Sequence, residues 1–195
     1  MSEVDSLFAR CRAERRAALI GYLPAGYPSV EASARLCAAL VDAGADLVEV
    51  GLPYSDPVLD GPTIQAAADA ALRAGTRIRD VLAVVERVAS GGGRAVVMTY
   101  YNPVLRYGVQ PFARDLAAAG GLGLITPDLV PEEADEFIAF DLIAGMKRVG
   151  NAMILPALFE LAWIFQMCEG AKPFTALLTA LAVWALEEKI RKRGN

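Results

Sequence analysis

The chain has 195 residues, 55% hydrophobic and 22% charged, with a formal net charge of −4, a balance that describes a packed protein of one or two domains. An acidic chain whose basic residues before residue 140 are scattered lacks the basic stripe of a nucleic-acid binder, and the absence of histidine removes Ser-His-Asp and Cys-His catalysis and every histidine-ligated metal site. Cys11, Cys37 and Cys168 show neither CxxC spacing nor a disulfide framework, and the charged start MSEVDSLFARCRAERR has no signal-peptide stretch, so a reducing, cytoplasmic setting is expected.

From residue 18 to about 137, short apolar runs alternate with helical patterns, the rhythm of βα units around a parallel sheet. ALIGYL, 18–23, is expected to form the first strand. PSVEASARLCAALVDAG, 28–44, opens with Pro and Ser before an apolar-periodic run and stops at Gly44, which are helix start and stop signals. DLVEVGL, 46–52, reads as the second strand, its β-branched residues favouring extension and Gly51 and Pro53 ending it.

Helices are expected over roughly 62–74 and 78–90. GGGR, 91–94, looks like a phosphate cradle, yet it precedes a strand rather than opening a helix and reads as a turn. RAVVMTYY, 94–101, is the third expected strand, VQPFARDLAAAG, 109–120, the third crossover helix, and LGLITPDL, 122–129, the fourth strand. PEEADEF, from 131, opens a helix with Pro in its first turn and acids near its positive end. Four such units over 1–137 make half of an eight-fold barrel, for which about 250 residues is typical.

Over 138–195 the strand–turn–helix rhythm stops, and two apolar blocks, 152–168 and 173–186, are separated by the polar turn EGAKP. Lys147 and Arg148 precede the first block; Lys189, Arg191, Lys192 and Arg193 follow the second. A hairpin would bring both basic clusters to one side, the positive-inside pattern of a membrane hairpin with membrane contact through 152–186. Against that, the blocks fall short of the ~20 residues a spanning helix needs, and Glu160 and Pro156 interrupt the first. A soluble helical hairpin on the open side of the half barrel fits as well, as does a tail foreign to the rest.

The segment with most chemical content is VEVGLPYSDPVLDGPTIQ, 48–65. It places Glu49 in the last residues of a buried strand and Asp60 on a loop stiffened by Pro53, Pro57 and Pro62, so that two acids can converge on one ligand. With no histidine in the chain, proton transfer falls to carboxylates, tyrosines, lysines or water. Plainer roles exist for the same residues. Glu49 suits a strand-end acid bonded to a backbone N–H, Asp60 a turn aspartate bonded to its own backbone, and Tyr22, Tyr100 and Tyr101 packed core or rim positions.

LPAGYP (23–28), the 48–65 segment, VMTYYNPVLRYG (97–108) and PDLVPEEADEF (127–137) together resemble the tryptophan synthase α subunit family in order and spacing. The resemblance implies a (β/α)8 TIM-barrel type of α/β fold, truncated here to about four βα units plus a C-terminal helical hairpin. It implies a lyase of tryptophan biosynthesis that cleaves indole-3-glycerol phosphate to indole and glyceraldehyde 3-phosphate. By that resemblance Glu49 is expected to take the general acid/base role and Asp60 to hold the indole nitrogen. Tyr22 and Tyr100 are expected to line the indole pocket, Asp56 and Pro57 to meet the β subunit, and Asp128 to support the Asp60 region. The partner implied is that β subunit, in an α2β2 type of assembly. Pyridoxal phosphate belongs to the β subunit, so no cofactor or metal is expected in this chain. Two departures accompany the likeness: the family's phosphate-binding loops and closing lid after the later strands have no counterpart, and Val130 stands where a proline is common.

Overall fold

Four strands form one parallel sheet in the order β1-β2-β3-β4: β1 (Ile20–Pro24), β2 (Leu47–Gly51), β3 (Ala95–Met98) and β4 (Leu124–Ile125). Spatial order follows chain order without reversal. That is the winding of a (β/α)8 barrel wall, whereas a doubly wound sheet reverses direction at a switch point. The computed structural model describes residues 2–129, all within the first of two compact units, Met1–Asn151. The helix expected from Pro131, position 130, Cys168 and the whole 138–195 tail with its expected hairpin lie outside the described residues.

The connections are helical, as the periodicity predicts. Helix α2 (Val30–Asp42) joins β1 to β2, and Ser29 caps it by accepting the Ala32 N–H on its side chain. Helices α3 (Pro62–Arg73) and α4 (Ile78–Ser90) join β2 to β3, with Pro62 in the first turn of α3, where its missing N–H costs nothing. Helices α5 (Tyr101–Tyr107) and α6 (Val109–Ala118) join β3 to β4.

Strand alternation divides the core in two. Val48, Val50, Ala95 and Val97 pack against Cys37 of α2, the Val81, Val84, Val85 and Val88 stripe of α4, and Phe112 and Leu116 of α6. The opposite faces of the same strands carry Leu47 and Val96, and these pack with Leu7 and Cys11 of α1 (Glu3–Ala13), flanked by Ile20 and Ile125. Helix α1 therefore covers the inner face at the start of the strands. Arg16 and Asp46 tie the chain there: the guanidinium donates to Oδ2 at 2.5 Å and Oδ1 at 2.8 Å of the buried carboxylate, which also accepts the Leu19 N–H.

Periodicity did not predict α1 or α5. Helix α1 has a readable start, the Ser2 and Asp5 capping box, and apolar Val4, Leu7 and Cys11 on its buried side. The third strand stops at Met98 rather than residue 101, because the Asp128 carboxylate accepts the Tyr101 N–H at 2.9 and 3.1 Å and turns 101–107 into a helix. The fourth strand is two residues long rather than 122–129, since Pro127 has no N–H for a ladder. Among the described residues no helix is long and apolar enough to cross a membrane.

Candidate active site

Glu49 sits mid-strand in LVEVG with its neighbours Val48 and Val50 fully buried on the helix side. Alternation places its own side chain on the inner face, two residues further along β2 than Leu47 and level with Val96 of the α1-covered patch. Its register partners are Tyr22 on β1 and Val96 on β3. Among the described residues no side chain hydrogen-bonds or ion-pairs with the carboxylate, and burial pushes its pKa up to about 7. A carboxyl group in that range holds either protonation state at neutral pH, the property general acid/base work requires.

Asp60 reaches the same region from the loop between β2 and α3. The Tyr100 hydroxyl donates to its Oδ1 at 3.4 Å and accepts the Leu59 N–H at 2.8 Å. Burial raises the Asp60 pKa and the Tyr100 bond opposes the rise. Its backbone carbonyl accepts from Gln65 at 2.8 Å, while the carboxylate accepts from Tyr100 rather than from a turn of its own. Tyr100 is 3% exposed and caps α5, which Asp128 anchors from the end of β4. Asp128 thus bears on Asp60 through Tyr100.

Tyr22 completes the group. Burial drives its pKa upward, and Asp60, Glu49 and Tyr100, in decreasing order, add to the rise, so it stays protonated. The ring lies over Gly51: a Cβ built there would be 2.4 Å from the Tyr22 hydroxyl oxygen. Glycine at 51 is what admits the ring.

Asp56 and Pro57 stand apart from this cluster. Asp56 is exposed and accepts the Ser55 hydroxyl at 2.5 Å; Pro57 lines an open cleft of about 650 Å³ with Tyr54, Pro62 and Gln65 on the α3 side. The GGGR segment is the turn after α4 that leads into the start of β3, at the end of the sheet remote from Asp60. Two residues that sequence reasoning passed over support the site: Tyr54, whose ring packs on Tyr100 with centroids 5.1 Å apart, and Asn102, which donates to the Tyr54 hydroxyl at 2.9 Å. Both sit inside the quoted motifs, but only their contact shows the link. Among the described residues no cluster of Cys, Asp and Glu is arranged to hold a metal ion.

Comparison with known proteins points one way. A family model described as tryptophan synthase alpha chain matches residues 8–193. The chain is 61% identical over 148 residues to the tryptophan synthase alpha chain of Nocardia farcinica, covering 76% of this chain and 56% of that one. It is 65% identical over 138 residues to that of Mycobacterium tuberculosis, covering 71% and 51%. Among solved structures, tryptophan synthase from M. tuberculosis in its aminoacrylate-bound form aligns with a TM-score of 0.74 at 61% identity, over 76% of this chain and 60% of that chain. The tryptophan synthase subunit alpha from Legionella pneumophila aligns with a TM-score of 0.71 at 36% identity, over 75% and 56%. The chain spans about half the length of the curated relatives it matches.

Proposed function

The chain belongs to the tryptophan synthase alpha chain family, and on that premise we propose that it is a carbon–carbon lyase that cleaves indole-3-glycerol phosphate to indole and glyceraldehyde 3-phosphate. The observation that carries the reading is the convergence of Glu49, pushed up to about 7, and Asp60, held by Tyr100, around Tyr22 on one face of the sheet.

Glu49 in its protonated form gives a proton to indole C3, which makes the ring an electron acceptor. The resulting carboxylate takes the proton of the side-chain hydroxyl on the carbon bonded to C3. The carbon–carbon pair returns to the ring, that hydroxyl carbon becomes the aldehyde of the triose product, and Glu49 is protonated again. Positive charge develops at the ring nitrogen as C3 is protonated, and the Asp60 carboxylate beside the N–H is favoured more in that state than in the ground state. Tyr22 and Tyr100 bound the ring's site. By the same reading the exposed loop of Asp56 and Pro57 meets a β subunit, which carries pyridoxal phosphate and consumes the indole; this chain needs no cofactor for the cleavage.

The test is indole release from indole-3-glycerol phosphate by the purified full-length chain, with and without an added β subunit, beside Glu49→Gln. Release that disappears in Glu49→Gln is the expected result. No release from a folded chain in either condition overturns the proposal.

A further inference from the structure

Of the tyrosines at and behind the site, two have engaged hydroxyls: Tyr100 with Leu59 and Asp60, and Tyr54, packed on Tyr100, with Asn102. The Tyr22 hydroxyl hydrogen-bonds to none of the described residues. Nor is it sealed away, since the side-chain polar atom found both enclosed and unpartnered among the described residues is Arg94 Nε. The oxygen is therefore not enclosed, and it lies over Gly51 on the strand beside Glu49, its register partner, with Asp60 near enough to act on it. A partly buried phenol normally finds a hydrogen-bond partner, and one left without a protein partner is placed to take one from a ligand.

We propose that the Tyr22 hydroxyl determines substrate specificity by hydrogen-bonding the uncharged, hydroxylated part of the substrate side chain. This rests on the lyase reading above and adds to it, since ring packing alone would need only the phenyl group. The chemistry of the ligand group follows from the neighbours. Asp60 and Glu49 both act on the Tyr22 proton, Asp60 the more strongly, so an anionic group such as a phosphate would meet the like charge of Asp60 there, whereas an alcohol can accept from the phenol and donate to a carboxylate. Burial keeps the phenol protonated, hence a donor at every working pH.

The test is a binding titration of the full chain and of Tyr22→Phe with two probes: indole-3-glycerol phosphate, and indole-3-propanol phosphate, which keeps the ring and phosphate but lacks the two side-chain hydroxyls. The substitution removes one oxygen and keeps the ring over Gly51. Expected is a loss of about three- to tenfold in affinity for the glycerol phosphate, the effect of one neutral hydrogen bond, with less than about twofold change for the propanol phosphate. Equal losses for the two probes, or none for either, overturn the assignment while leaving the lyase reading intact. Failure of the unaltered chain to bind either probe overturns both.

Discussion

The Tyr100 hydroxyl lies 3.4 Å from Asp60 Oδ1 and takes the Leu59 N–H at 2.8 Å, so one phenol holds both the acid and the backbone that carries it. Tyr100 is itself held by the Tyr54 ring and by its place at the start of α5. The loop acid is therefore aimed by a residue just past the end of β3, and proline stiffness contributes only within the loop.

Tyr100→Phe removes both bonds and keeps the ring. Stability is expected to fall by about 1–3 kcal/mol, since one neutral bond and one long bond to a carboxylate are lost. Indole release is expected to fall about tenfold, because Asp60 loses its fixed direction. Thermal unfolding and steady-state rates measure the two effects, and unchanged kinetics would show that Asp60 is aimed by something else.

Glu49→Gln is expected to lower the rate by ~10²–10⁴, the range for loss of a general acid/base. The same carboxyl group leaves a stability signature. Its pKa is raised from 4.5 to about 7 by burial, so between those values the folded chain binds the proton that the unfolded chain has released. Stability contributed by this group is full below about pH 4.5 and is lost as pH rises to about 7. Denaturant unfolding at pH 5 and pH 8 should therefore show a smaller difference in Glu49→Gln than in the parent. An identical difference would mean that the carboxyl group is not held out of water.

Asp128→Ala should uncap α5 by removing the acceptor of the Tyr101 N–H. About 1 kcal/mol of stability is expected to go, as for other lost N-terminal helix acceptors. Indole release should fall with it, because Tyr100 precedes that helix. Asp128→Asn keeps one acceptor oxygen and should recover most of both. Hydrogen exchange at the Tyr101 amide reads the cap directly, and protection unchanged in Asp128→Ala would contradict the role.

Gly51→Ala puts a methyl group where the Tyr22 ring lies, 2.4 Å from its oxygen. The obstructing atoms are the far end of a side chain, so the fold should persist while the ring swings away. Substrate affinity is expected to drop about tenfold or more with a near-parental melting temperature. Adding Tyr22→Leu should recover part of the packing. A Gly51→Ala chain that binds as well as its parent would show that the ring's position is immaterial.

The α/β class, the strand–helix alternation and the two acids were legible because each is local. Glu49 and Asp60 lie in one continuous segment, and the hydrophobic periods of strand and helix repeat every few residues. Helix α1 was equally local in its Ser2 and Asp5 capping box, yet was not predicted because charge dominates its sequence. The end of β3 was misplaced for the opposite reason: TYY favours extension, and the Asp128 carboxylate, beyond β4 and far along the chain, bends it into α5.

Sequence by itself determined which residues could do the chemistry: an acid within a strand, an acid on a proline-rich loop, and a chain without histidine. Tertiary structure alone decided how they are brought together. The register of β1 on β2 sets Tyr22 opposite Glu49, the approach of β3 brings Tyr100 to Asp60, and the core around them lifts Glu49 to about 7. Composition and spacing specify which groups a chain carries and how each stretch prefers to coil. Burial, register and contact between distant segments exist only once the chain has packed, and these set a carboxyl group's proton affinity and direction.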